Sequence, residues 1–133
     1  MSAPSMLRRR GEKPTARLLS RALSQADAGA LARLRAGLRA LGLREAWSFA
    51  GPAVGWQLAF LRRDGDVACR LLPARSPAAG VARVPAEAVA RLPPALAERV
   101  RAFPARAGTH RVELAMRTRR DEAHFLAIAR ELR

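Results

Sequence analysis

The stretch over residues 47–73 constrains the fold more than any other part of the chain. Within it an Asp64-Gly65 pair separates two apolar runs, 55–61 and 66–73. Such a pair is the strongest local signal for a β-hairpin, because a type I′ turn needs positive φ at its central residues. With Trp47-Ser48-Phe49-Ala50-Gly51 ahead of it, the stretch predicts three consecutive antiparallel strands. Side chains alternate across a strand. Trp56, Leu58 and Phe60 therefore share one face and Gln57, Ala59 and Leu61 the other. On the third strand Val67, Cys69 and Leu71 oppose Ala68, Arg70 and Leu72. One face is solidly apolar and belongs to a core; the other mixes small, apolar and polar residues.

Helical patterns flank this centre. Thr15 is an N-cap, followed by Leu18, Leu19, Ala22, Leu23 and Ala26 at helical spacing. A second helix starts after Ser24 or Asp27, carries Leu31, Leu34, Leu38 and Leu41, and stops at Gly42. Beyond a loop over 73–80, a fourth strand is expected at 81–84. A helix follows from Pro85 to about Leu92. Pro93-Pro94 opens another helix, with Leu96, Val100 and Phe103 inward and Pro104 at its end. After a loop over 105–108, a fifth strand runs over 109–116. Thr118 and Asp121 then start a last helix, with Phe125, Ile128, Ala129 and Leu132 on one face. Strands and helices segregate rather than alternate. The expected fold is α+β, an antiparallel sheet of about five strands covered on one face by N-terminal, middle and C-terminal helices. At 133 residues this is one domain over 15–133, preceded by a flexible basic arm over 1–14.

Composition narrows the functional classes. A single cysteine, Cys69, excludes an internal disulfide framework and a multi-cysteine zinc site. Its mid-strand position predicts a buried, inert thiol. No window approaches the roughly 18 apolar residues of a membrane span. No apolar stretch follows Arg8, Arg9 and Arg10 as a secretory signal would require. A cytoplasmic protein without a membrane partner is expected. The net charge is +14, almost all of it arginine, with Lys13 the only lysine. Codon bias in a GC-rich bacterial genome explains arginine in place of lysine but not the shortage of acids. Such a charge concentrates polyanions nearby.

Trp-x-Phe-x-Gly at 47–51, Gly55-Trp56-x-Leu58, a basic hairpin and a strand ending Leu72-Pro73 resemble a small bacterial family. It is the domain of unknown function numbered thirty-seven eighty-eight. The resemblance extends over roughly 14–133 and includes a Leu92-Pro93 helix, a late strand over 112–116 and a closing amphipathic helix over 121–132. Here Thr109 and His110 follow Gly108, where members often have Gly-Arg. Arg130 is the nearest cation to the end, where members often finish in lysine. The resemblance implies a fold and no established activity.

No catalytic constellation stands out, and an enzyme is the least favoured class. His110 and His124 match no metal-ligand spacing and read as surface residues. The 51–55 loop lacks the lysine and hydroxyl of a phosphate-binding loop and precedes a strand. No serine sits in a nucleophile elbow. Glu45 and Glu113 are the carboxylates nearest the sheet. No cofactor or metal is implied. The aromatic rings read as core rather than as a stacking platform. Gln57, Arg70, Arg111 and Glu113, set among Ala59, Ala68 and Ala115, would mark a shallow ligand pocket or a dimer contact on the second sheet face. The expected function is therefore a non-catalytic ligand- or partner-binding domain, with a homodimer through the open sheet face as one form of it. The alternative is a nucleic-acid-binding protein that contacts phosphates through Arg8, Arg9, Arg10 and Lys13, or an acidic protein in place of the nucleic acid.

Overall fold

The structure, a computed structural model, describes residues 3–105 and 108–133. Residues 1–2 of the expected arm and 106–107 of the expected loop lie outside them. The fold is α+β. Strands β1 (Arg44–Phe49), β2 (Trp56–Leu61), β3 (Val67–Leu72), β4 (Ala79–Pro85), β5 (Arg101–Pro104) and β6 (Thr109–Ala115) form one sheet in the order β1-β2-β3-β4-β6-β5. Every neighbouring pair is antiparallel. Helices α1 (Ala16–Ala22), α2 (Gln25–Ala40), α3 (Ala86–Ala90), α4 (Pro94–Ala97) and α5 (Arg119–Leu132) share one hydrophobic core with one face of the sheet.

That face is the one the alternation predicts. Leu58 and Phe60 are wholly buried, and Cys69 and Leu71 lie opposite them on β3 in register. Leu31, Leu34 and Leu38 of α2 and Phe125 and Ala129 of α5 close over them. The helix starts follow from local chemistry. Thr15 and Ser24 accept backbone N–H bonds from Leu18 and Asp27. Thr118 and Asp121 make a reciprocal capping box at the start of α5.

The hairpin turn differs from a two-residue type I′ turn. Arg62 and Asp66 close it through an N–H···O bond of 2.8 Å, and Gly65 donates to the Arg62 carbonyl at 3.0 Å. The loop is thus three residues, with Gly65 at φ +89° as its left-handed member. Three-residue loops of this kind carry a bulge, and the register slips between Phe60 and Leu61.

Two further expectations are corrected. The expected helix from Pro94 to Phe103 ends at Ala97, and its second half is the edge strand β5, so the sheet has six strands. Leu96, Val100 and Phe103 have helical spacing, but β6 offers an open row of backbone donors and acceptors, and residues 101–104 line up against it. Pro104 is tolerated there because an edge strand need not donate on its outer side. The basic stretch before Pro14 is not a free arm where it is described. Ala3–Arg8 form a 3-10 helix, Leu7 is wholly buried, and the Trp56 indole donates to the Arg9 carbonyl at 2.9 Å. The close fit depends on Gly55 (φ +82°), where a Cβ would stand 2.5 Å from the Leu7 carbonyl oxygen.

The helices are tied to the sheet and to each other by paired side chains. Arg33 of α2 grips Glu122 of α5 through two bonds of 2.8 and 2.9 Å. Arg35 grips Glu45 of β1 in the same way, at 2.8 and 2.9 Å, and Arg39 adds a contact at 3.2 Å. The Arg35 hydrogen bonds hold the Glu45 carboxyl below its ordinary value of 4.5, against its partial burial, with Arg39 assisting. A carboxyl depressed in the folded state stabilises the fold above its unfolded pKa, and the effect fades as pH falls through the folded one. Glu45→Gln is therefore expected to cost about 1 kcal/mol at neutral pH. Urea titrations along an acid series should show its deficit against wild type narrowing below pH 4.5.

Candidate arginine face

The opposite face of the sheet carries no helix. Its residues follow from the register, since side chains on neighbouring strands line up across the sheet. One line runs Ala46, Ala59, Arg70, Val81, Glu113, Arg101 across all the strands. Two residues along the strands, Arg83, Arg111 and Phe103 form a second line on β4, β6 and β5. On the other side of the first line, Leu72 and Ala79 pack with Val54, and with Val81 of the line itself, into a small apolar patch.

The arginines of the strands are confined to one face. Every arginine borne by a strand, namely Arg44, Arg70, Arg83, Arg101 and Arg111, falls on the helix-free face. The strands hold two carboxylates. Glu45 points to the helices, and Glu113 is the one acid among the strand residues of the arginine face. Glu113 is only 6% exposed. One of its oxygens pairs closely with Arg75 from the β3–β4 loop, and the other lies 3.6 Å from Arg111. Arg70 and Arg83 have no ion pair among the described residues. Arg101 lies 5.3 Å over the ring of Phe103.

Two shallow depressions open here. One, about 590 Å³, is lined by Arg62, Arg70, Arg83 and Arg111, with Asp66 as its acid. The other, about 600 Å³, is bordered by Arg75, Arg99, Arg101 and Arg117, with Glu98 and Glu113 as its acids. In the second, Arg99 is held by Asp121 and Arg75 by Glu113.

Of the residues expected on this face, Arg111 and Glu113 meet on β6, and Arg70 stands in the Glu113 line with Val81 between them. Gln57 is on the same face but apart from them, its amide bonded to Ser48 at 3.2 Å on the outer hairpin. Arg83, Arg75, Arg101 and Phe103 were not anticipated. Arg83 was within reach, because alternation in Val81-Ala82-Arg83-Val84 puts it opposite Val84. Arg101 and Phe103 were hidden by their reading as helix. The basic cluster at 8–13 belongs to a different surface. Arg10 lies 5.0 Å over Phe49, whose ring packs on Trp56 on the helix side, and Arg9 pairs with Glu12 at 3.4 Å.

Other reactive groups are quiet. Cys69 is 1% exposed, and burial pushes its thiol up to about 12 against the pull of Arg70. His110 and His124 are half-buried rather than on the surface. Among the described residues no group of three or more His, Cys, Asp or Glu side chains could hold a metal ion, and no helix is long and apolar enough to cross a membrane. No protein-family model matches the chain, and neither a curated protein nor a solved structure matches it.

Proposed function

We propose that this chain is a non-catalytic binding domain that captures an anionic partner on the helix-free face of its sheet. The observation that supports this is the sorting of charge: all strand arginines lie on one face, against Glu113 as its one strand-borne acid. Burial alone keeps arginine off the core face; what codon bias leaves unexplained is that the strands of the open face carry five arginines against one acid. Guanidinium groups set on paired strands present planar donor forks to carboxylate or phosphate oxygens. Glu113 is unsuited to act as a general base, since both its oxygens are engaged by arginines. A homodimer through this face is disfavoured, because it would place like charges against each other. A bacterial cytoplasmic setting and membership of the family of unknown function belong to the same proposal.

The test is elution from heparin resin. Arg83→Glu with Arg111→Glu, and Arg17→Glu with Arg21→Glu on α1, lower the net charge equally. The sheet-face pair is expected to elute at clearly lower salt than the α1 pair, with both variants folded by circular dichroism. Co-elution of the two would mean that net charge alone drives retention, and the proposed site would be lost.

A further inference from the structure

We infer that the anionic partner is single-stranded nucleic acid, lying across β4, β6 and β5 with a base stacked on Phe103. This rests on the preceding reading and adds an occupant to it. Phe103 is the one large hydrophobic side chain left exposed among the described residues, at 37%. It ends the line that begins with Arg83 and Arg111, so two guanidiniums lead directly to an aromatic ring. Strands lie about 4.8 Å apart, which gives this line a length of about 10 Å. That is roughly the length of two to three stacked nucleotides.

The combination separates three kinds of polyanion. An acidic peptide would engage the guanidiniums and leave Phe103 in water. A duplex keeps its bases inside the stack, where a ring standing on a sheet cannot reach them. A single strand offers phosphates to the arginines and a free base face to Phe103. Arg101, already 5.3 Å over the ring, adds a third guanidinium beside the stacked base. Nothing on the face reads base edges in a fixed pattern, so the binding is expected to tolerate many sequences.

The experiment uses the full chain and fluorescence anisotropy with three probes: labelled oligothymidylate of about 12 nucleotides, a blunt duplex of equal length, and an oligoglutamate peptide. Oligothymidylate is expected to bind most tightly, with log affinity falling linearly with log salt. Phe103→Ala should weaken it about 10-fold while leaving heparin elution unchanged, and Phe103→Trp should restore it. No binding of oligothymidylate would overturn the inference. So would duplex or oligoglutamate binding as tightly, or Phe103→Ala binding like wild type. In each of those cases the broader anion-binding reading still stands or falls separately, on whether the sheet-face and α1 variants part on heparin.

Discussion

Replacing Phe125 with alanine is expected to lower stability by about 3–5 kcal/mol, at the upper end for a single core residue. Phe125 is 1% exposed and projects from α5 onto β4 at Gly80. The contact is so close that a Cβ on Gly80 would stand 2.5 Å from Cε1 of the ring and 2.7 Å from Cε of Met116. The ring therefore rests on bare backbone. Once it is removed, Gly80 has no side chain with which to fill the void, and collapse is limited. The reciprocal change, Gly80→Ala, should overpack the same place at about 1–3 kcal/mol. In a Phe125→Leu background much of that cost should disappear, because the two residues share one space. Guanidinium unfolding measures all of this; a fall in midpoint at constant slope is the expected signature. Additive costs for the pair would show that the close contact has little energetic weight.

The second large effect is expected at Asp121. This carboxylate is wholly buried. One oxygen accepts the backbone N–H groups of Arg117 and Thr118, both at 2.9 Å, and Arg99 pairs with the other. Asp121→Ala removes a helix cap and strands a half-buried guanidinium together with two backbone donors. Loss of one partner from a buried charged pair costs about 3–5 kcal/mol. Arg99 is 35% exposed, which puts the expectation near the lower figure. Asp121→Asn keeps an oxygen for the cap and loses the charge, so it should cost clearly less. Arg99 immediately precedes the Val100–β5 segment, so the alanine variant should also speed amide exchange along β5. Equal thermal stability for the alanine and asparagine variants would show that the ion pair, not the cap, is what Asp121 supplies.

How much could be read in advance depended on the range of the determining interaction. The core face of β2 and β3 was legible because alternation is a property of consecutive residues. Thr15, Ser24 and the Thr118–Asp121 box were legible because a cap bonds within its own turn. The Asp64-Gly65 signal located the hairpin, but its loop length depends on which backbone pair closes it, and that is Arg62 with Asp66. β5 was not legible at all. Its local spacing fits a helix, and its strand state comes from pairing with β6. The seat of Leu7 depends on Gly55, far along the chain, so nothing local to the basic stretch announces it. The same limit applied to the arginine face. Arg70, Arg111 and Glu113 sit on strands that alternation identified. Arg101 and Phe103 waited on the strand that it did not.

The β3-β4-β6-β5 run has a mechanical consequence for whatever settles on it. Adjacent strands rotate by about 20–25° relative to one another. From Arg70 to Phe103 the surface thus turns through a large part of a right angle, like the blade of a propeller. A stiff rod laid on such a saddle would touch one guanidinium and lift away from the next. A chain free to bend at every unit can follow the slope and meet each in turn, so pliability itself becomes a criterion of selection.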